Sequence, residues 1–224
     1  MTTGAEPSDR ARTFESILGD RRVGRLDEVL DRRTRGVTVV LENLYDSHNL
    51  SAVMRTSDAF GVQEVHVVDA EGDFAISRKI TKGAHKWLDI IVHSGPTASE
   101  DAAASLHARG FRLIAATLAE GARPLVELDL SGPVAFVFGN EHDGLTETMA
   151  RACDSAYVIP MFGFVQSFNV SVSAALTLQH VRSAREWPGL EASDRAALRE
   201  SWMAKSLNQS ARILRALDGP GGST

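Results

Sequence analysis

Short runs of apolar, β-branched residues alternate along this chain with segments of helical periodicity, and this alternation limits the fold more than any other feature. The runs are VTVVLE (37–42), EVHVVD (64–69), FRLIAA (111–116), VAFVFG (134–139) and YVIP (157–160). The helical segments are Asn49 to Phe60, the Ala-rich 98–108, and Asn169 to Arg185. Such alternation predicts an α/β fold with a mostly parallel sheet that is covered on both faces. Function is then expected in the loops that follow the strands.

Helical periodicity also marks both ends of the chain. One helix is predicted within Phe14 to Leu30, and another over 194–217, after the break WPGLEAS (187–193). We therefore expect an N-terminal helical extension over 1–36 and a central α/β domain over 37–186. A C-terminal helical extension over 187–224 would follow, ending in a disordered tail, GPGGST.

The composition is that of one globular domain with short extensions. The chain has 224 residues, of which 43% are hydrophobic, so a sizeable core can be buried. No apolar run reaches the roughly 20 residues of a membrane span, and the N-terminus lacks the apolar region of a secretory signal. A soluble, cytoplasmic protein without membrane contact is expected. Cys153 is the only cysteine, so a cysteine-built metal site is excluded and no metal is expected.

Basic residues are concentrated at the two ends of the chain, although its net charge of −5 argues weakly against nucleic acid. The first group is Arg10, Arg12, Arg21, Arg22, Arg25, Arg32, Arg33 and Arg35, and the second is Arg182, Arg185, Arg195, Arg199, Lys205, Arg212 and Arg215. Acidic residues lie among them, so composition alone favours solvated helix faces. Phosphate contacts at both ends are the alternative.

The first polar loop lies in ENLYDSHNLSAVMRTSDAFG (42–61), between a strand and a helix. Asn49 can cap this helix, and Arg55 follows about 9 Å further along its axis. A helix cap with a surface arginine is the simpler interpretation. In the functional interpretation, the guanidinium reaches back toward the loop and meets a phosphate or a ribose there.

A second loop, in VFGNEHDGLT (137–146), follows a buried strand. Gly139 and Gly144 bracket the polar residues 140–143, and glycines at such positions allow a tight turn and a close approach of the backbone to a ligand. Glu141 could accept a hydrogen bond from an amine or a hydroxyl. A plain strand-to-helix turn is the alternative.

The third loop lies in VIPMFGFVQSFNVSVSAALTL (158–178). Gln166, Ser167 and Asn169 open an apolar helix, where such residues ordinarily act as caps. The preceding MFGF goes beyond that role, because exposed aromatic residues in a loop suit an adenine or a partner subunit.

In this order the three loops resemble a known family. HNLSAVMRTSDAFG, FGNEHDGL and IPMFGFVQSFNVSVSAAL closely resemble the three motifs of the SpoU/TrmH branch of the SPOUT methyltransferases, over about residues 48–176. KGAHKWLDI (82–90) and the helical ends are further similar to the members that methylate guanosine 18 of tRNA. The resemblance implies a homodimer and the SPOUT fold, with a C-terminal trefoil knot that general connection rules disfavour.

The resemblance also implies S-adenosylmethionine-dependent 2′-O-methylation of a tRNA ribose, with guanosine 18 in the D-loop as the expected nucleotide. The catalytic positions it implies are Arg55, Asn49, Glu141, Ser167 and Asn169. The implied cofactor-binding positions are Ala116, Thr117, Gly139, Asn140, Glu141, Gly144, Ile159, Met161, Ser167, Phe168 and Asn169. The tRNA is expected to contact Arg21, Arg22, Arg25, His48, Arg55, Lys82, Lys86, Arg182 and Arg185. The chain departs from the family at Ala116, where a threonine is usual, and at Phe168, where a leucine is usual.

Methyl transfer to a hydroxyl requires alignment of the two reacting atoms and removal of a proton. Arg55 is a poor base, because the pKa of a guanidinium lies above about 12. We therefore expect Arg55 to bind the adjacent phosphate and stabilise the developing alkoxide, while Asn49 fixes the ribose. Water, a phosphate or Glu141 could take the proton. His48 and His142 have a more suitable pKa, but such residues are more often structural or substrate contacts.

Other members of the same branch give the alternatives. Enzymes for 23S rRNA generally carry a small α/β RNA-binding domain before the knot, and enzymes for the tRNA wobble position lack an extension after 187. A non-catalytic RNA-binding relative or a dimerisation scaffold is the third alternative. Such a protein would have no need of the catalytic positions named above.

Overall fold

The computed structural model describes residues 9–69 and 84–217. The described residues form two units, one with the residues up to Arg33 and from Gly189 onward, the other Thr34–Pro188. No helix in these ranges is long and apolar enough to cross a membrane.

The first unit consists of helices α1 (Asp9–Leu18), α2 (Asp20–Leu30) and α7 (Ala192–Leu217). The single helix predicted within Phe14 to Leu30 is wrong, because Gly19 interrupts it with a φ of 75°. In this unit α1 and α2 pack against α7. The two ends of the chain, predicted as separate extensions, therefore contact one another.

Ion pairs hold this unit together and use several of the terminal arginines. Arg195 donates to Asp31 at 2.7 Å, and Arg199 donates to Asp27 at 2.7 Å. The guanidinium carbon of Arg33, a buried residue, lies 5.1 Å from the ring centroid of Trp202. These three arginines therefore have structural roles within the unit.

The second unit is built on a seven-stranded parallel sheet. Its strands are β1 (Val37–Glu42), β2 (Glu64–Asp69), β3 (Asp89–Ser94), β4 (Arg112–Ala116), β5 (Arg123–Pro124), β6 (Val134–Phe138) and β7 (Ser155–Val158). They are ordered β3-β2-β1-β6-β4-β7-β5. Val39 of β1 pairs with Val65 on one side and Phe136 on the other. The predicted α/β fold with a parallel sheet is confirmed.

Helices cover both faces of the sheet. They are α3 (Ser47–Phe60), α4 (Ala98–Ala108), α5 (Glu147–Ala152) and α6 (Val170–Ala184), with 3-10 helices at Ala84–Trp87 and Leu125–Glu127. On one face α3 and α6 pack against each other and contribute Leu50, Met54 and Leu178 to a core with Val39. On the other face, α4 and α5 pack over Val40 and its neighbours. The carboxyl ends of β4, β6 and β7 border a cavity.

Candidate active site

A cavity of about 390 Å³ lies at the carboxyl ends of β4, β6 and β7. Its wall is formed by the loops after these strands and the start of α6, with residues 116–119, 138–145, 157–159, 161, 166–168, 170 and 173. The expected cofactor positions that line it are Ala116, Thr117, Gly139, Asn140, Glu141, Gly144, Ile159, Met161, Ser167 and Phe168. Asn169, also expected to bind the cofactor, does not line the cavity. Of the three loops singled out in the sequence, the second and the third line this cavity, and no residue of the first loop does.

The loop after β6 is closed by a tight turn. Asn140 and Gly144 exchange two backbone hydrogen bonds, of 3.0 and 2.9 Å. Gly144 has a φ of 71°, and a Cβ on Gly139 would lie 2.3 Å from the carbonyl oxygen of Gly144. Both glycines are therefore required for this turn, which presents Glu141 beside the cavity.

Three side chains from the three loops form one hydrogen-bonded chain. Nδ2 of Asn169 donates to Oδ1 of Asn49 at 3.0 Å, and Nδ2 of Asn49 donates to Oε1 of Glu141. Oδ1 of Asn169 accepts from the backbone N–H of Ser171 at 2.9 Å. Asn169 therefore caps α6 and also takes part in the hydrogen bonds to Asn49. Glu141 and Asn169 are exposed and Asn49 is half-buried. The three hydrogen-bonded side chains are therefore accessible to a ligand.

Helix α3 begins differently from the expectation. Asp46, not Asn49, caps it by accepting from the backbone N–H of His48 at 2.6 Å, because the helix starts three residues earlier than its apolar pattern indicated. The cap frees the side chain of Asn49 for Glu141. Arg55 is exposed on α3, and within the described part of the chain its guanidinium has no hydrogen bond or ion pair. It does not line the cavity.

Of the expected tRNA contacts, Arg21, Arg22 and Arg25 are exposed on α2, and Arg25 pairs with Glu28 at 2.9 Å. His48 is exposed in the first turn of α3. Lys82 lies outside the described residues.

The remaining expected contacts differ in exposure, since Arg182 is exposed whereas Lys86 and Arg185 are half-buried. Lys86 lies 4.1 Å from the ring centroid of Trp87, and Arg182 lies 5.0 Å from that of Trp187. Two guanidinium nitrogens of Arg185 are buried without a hydrogen-bond partner. Burial and the nearby charge of Arg112 lower the pKa of Arg185.

Two buried polar residues of the central unit, Tyr157 and Glu42, had no role predicted from the sequence. The buried hydroxyl of Tyr157, in the cavity wall, lies 2.6 Å from Oγ1 of Thr177, and burial raises its pKa. Glu42, the last residue of β1, is fully buried. A carboxylate at the end of an apolar strand is a signal that could have identified Glu42, whereas nothing distinguishes Tyr157 from an apolar core position.

The single thiol and the acidic residues give no further site. Burial, with the neighbouring charges of Asp154 and Glu42, raises the pKa of Cys153 to about 12, which leaves the thiol unreactive at neutral pH. In the described ranges, no group of three His, Cys, Asp or Glu residues is arranged to hold a metal ion.

The fold and the cavity define an α/β domain with a small-molecule site at the carboxyl edge of a parallel sheet, and known methyltransferases are similar to this chain. The model of the SpoU rRNA Methylase family matches residues 36–179. A tRNA (guanosine(18)-2′-O)-methyltransferase from Thermus thermophilus is 43% identical over 166 residues, 74% of this chain and 84% of that protein. The chain belongs to the SpoU methylase family.

Two solved structures share this fold. The A. aeolicus TrmH/SpoU tRNA modifying enzyme is 33% identical with a TM-score of 0.73, over 83% of this chain and 96% of that one. An AdoMet-bound rRNA methyltransferase from Sinorhizobium meliloti is 25% identical with a TM-score of 0.60, over 72% of this chain and 60% of that one. The motifs that indicated the family are thereby confirmed.

Proposed function

We propose that this protein uses S-adenosylmethionine to methylate the ribose 2′-hydroxyl of guanosine 18 in the D-loop of tRNA. The hydrogen-bonded chain of Asn49, Glu141 and Asn169 carries the proposal, because it places polar groups from three loops beside a cofactor-sized cavity. The relative from Thermus thermophilus bears the name of this activity and is matched over 84% of its length.

The cavity fits the cofactor in size and in chemistry. Its volume of about 390 Å³ lies within the range of about 300–1,000 Å³ typical of small-molecule sites. Thr117 and Ser167 offer hydroxyls, while Leu118 and Phe138 offer apolar surface. This mixture suits a nucleoside joined to a charged amino acid. When bound, the cofactor supplies an electrophilic methyl group on a sulfonium.

The residues around the cavity divide the remaining tasks. Arg55, exposed on α3, binds the phosphate next to the target ribose and stabilises the negative charge that develops on the 2′-oxygen. Asn49 orients the ribose, and Glu141 is the protein group that can take the proton, with water and phosphate as the other acceptors. Ser167 lines the cavity, and Asn169 holds Asn49 in place.

We infer that the protein is a homodimer. Phe162 is 99% exposed in the third loop, and Val172 and Leu176 are 43% and 40% exposed one turn apart on α6. Exposed apolar side chains on this loop and on the helix that follows it are unfavourable in water and suit a second copy of the chain. A trefoil knot in the segment after β6 also belongs to this proposal. Family membership supports it, as does the position of β7 between β4 and β5.

The two units divide the work in this proposal. The central unit, Thr34–Pro188, transfers the methyl group, and the helical unit contributes Arg21, Arg22 and Arg25 to tRNA binding. Similarity favours tRNA over 23S rRNA. The TrmH/SpoU tRNA modifying enzyme is 33% identical with a TM-score of 0.73, whereas the rRNA methyltransferase is 25% identical with a TM-score of 0.60.

The test is to incubate the protein with labelled S-adenosylmethionine and an unmodified tRNA transcript, and then to map the methylated ribose by nuclease digestion. Label is expected at nucleotide 18. A transcript that already carries 2′-O-methylguanosine at this position is the control and should take up none. Label at the wobble position, or cofactor binding without transfer, would overturn the proposal.

A further inference from the structure

Glu42 ends β1 as a fully buried carboxylate with three neutral donors around it. Its Oε2 accepts from the backbone N–H of Thr146 at 2.8 Å. Its Oε1 accepts from Oγ1 of Thr146 at 2.7 Å and from Oγ of Ser99 at 2.5 Å. Burial of a carboxylate is costly in free energy unless the group is hydrogen-bonded. Hydrogen bonds to a charged group are stronger than those between neutral groups.

The next residue, Asn43, contacts the loop between β6 and α5 at the end opposite Thr146. The carbonyl oxygen of Asn43 accepts from Nδ2 of Asn140 at 3.0 Å. Asn43 has a φ of 51°, the left-handed region that residues other than glycine rarely adopt. Unusual backbone of this kind persists where its surroundings require it, and here it turns the end of β1 toward the loop after β6.

Asn43 and Glu42 thus bind the two ends of the loop that contains Glu141. Among the contacts of the described residues, the carboxylate of Glu141 has one hydrogen bond, from Asn49. The position of Glu141 therefore depends on its loop, and the loop is held at Asn140 and at Thr146.

We propose that Glu42 is a positioning residue that acts through Thr146 to place Glu141 and the cavity wall for methyl transfer. This inference rests on the proposed function. Thr146 also accepts from the backbone N–H of Met149 at 3.1 Å and caps α5, so its hydroxyl connects the carboxylate to the start of that helix. Loss of the connection lets residues 139–145 move relative to Asn49.

The chain offers a control for the purely structural role of the same carboxylate. Ser99 donates to Glu42 from α4, an element outside the loop that contains Glu141. Ser99→Ala removes one donor and lowers stability but leaves both bonds to Thr146. Thr146→Val removes the hydroxyl bond with little change of shape, and Thr146→Ser restores it. Glu42→Gln changes the carboxylate itself.

The experiment compares these four variants with the wild type in kcat, KM for tRNA, Kd for S-adenosylmethionine and thermal midpoint. Thr146→Val and Glu42→Gln are expected to lower kcat at least about tenfold, because small displacements of aligned groups are expensive. Thr146→Ser should stay within about threefold of the wild type and Ser99→Ala within about twofold. Should Glu42→Gln fail to fold, the two Thr146 variants still decide the question.

Amide hydrogen exchange separates this inference from the proposed function, since it needs no turnover. Residues 139–145 should exchange faster in Thr146→Val than in Ser99→Ala or Thr146→Ser. A wild-type protein that methylates no RNA would reject the proposed function and leave the exchange result standing. The positioning role would be overturned if Thr146→Val kept wild-type kcat and exchange, or if Ser99→Ala lost activity to the same degree.

Discussion

Nδ2 of Asn169 lies 3.0 Å from Oδ1 of Asn49, a residue 120 positions earlier in the chain. The other end of the Asn49 amide donates to Glu141. Asn49 therefore has a donor on one side and an acceptor on the other, which fixes the orientation of its amide. Only an amide of this length offers both the acceptor for Asn169 and the donor for Glu141.

Asn49→Asp should lower kcat at least about tenfold at neutral pH, because it sets a second carboxylate against Glu141. Two adjacent carboxylates raise the pKa of one of them, so one should take up a proton as the pH falls and restore a donor. Activity relative to the wild type is then expected to recover as the pH is lowered. Asn49→Ala lacks this group and is the control. A pH profile of kcat in which both variants run parallel would contradict the prediction.

Arg55→Ala should reduce methyl transfer more than about a hundredfold while Kd for S-adenosylmethionine stays nearly unchanged, since Arg55 is exposed on α3 and does not line the cavity. Calorimetry and a tRNA methylation assay measure the two quantities. Arg55→Lys keeps the charge without the planar fork, and it should recover only part of the activity. Residual turnover within about tenfold, a loss of only about 1.4 kcal/mol, would be too little for the proposed role.

Glu64 should stabilise the fold above about pH 4.5 and lose this effect in acid. Burial raises its pKa, but hydrogen bonds from His66 and Arg109, with their charges, outweigh burial and hold the pKa at about 2. A lowered folded-state pKa means that the stabilisation is complete above the unfolded value of 4.5 and disappears as the pH falls toward 2.

Glu64→Gln tests this stabilisation. It should lower the free energy of unfolding by about 3 kcal/mol at pH 7, and the difference from the wild type should shrink between about pH 4.5 and pH 2. Glu147→Gln breaks an exposed pair with Arg151 and should cost less than about 1 kcal/mol. Denaturant unfolding at several pH values measures both. An effect of Glu64→Gln that did not change with pH would show that its carboxylate charge is not the cause.

The apolar surface of the third loop and α6 should hold two copies of the chain together at micromolar concentration, with or without RNA. Leu176→Asp places a charge on this surface and should give a monomer by light scattering. Val92→Asp is the control, since Val92 is 44% exposed on β3, at the opposite edge of the sheet from β7. A wild-type monomer would reject the dimer, and a dimeric Leu176→Asp would reject this interface.

The sequence predicted most of the central unit because its strands are continuously apolar. β1 and β2 have the predicted bounds, and every residue in them is buried. β3 was missed because it is an edge strand with partly exposed side chains, and β5 because it has two residues. The strand order could not be predicted, since it depends on crossovers between segments far apart in the chain.

For the site, the three loops were found because their polar residues follow apolar strands. The contacts between them were not, since a side-chain hydrogen bond between Asn49 and Asn169 has no periodicity. The same applies to the cap at Asp46, where four consecutive polar residues offered several possible helix starts. Glu42 was assigned to its strand without a role, because its donors lie 57 and 104 residues away.

Capture of tRNA by an acidic protein requires basic groups that are placed on phosphates, and the structure changes which arginines qualify. Removal of residues 1–35 would be a poor test. It would take away the partners of α7 and also Arg35, which pairs with Glu64 at 3.0 Å and Asp89 at 2.5 Å. The exposed arginines of α2 can be changed without either loss.

The triple variant Arg21→Ala, Arg22→Ala, Arg25→Ala should therefore bind tRNA more weakly, with S-adenosylmethionine binding unchanged. Each lost phosphate contact should reduce the slope of log affinity against log salt by about 0.7–0.9. Arg151→Ala, which removes an exposed arginine from α5, is the control for net charge. If only the overall field mattered, each lost charge would have the same small effect wherever it lies. A triple variant with the affinity and salt slope of the wild type would exclude α2 from the tRNA-binding surface.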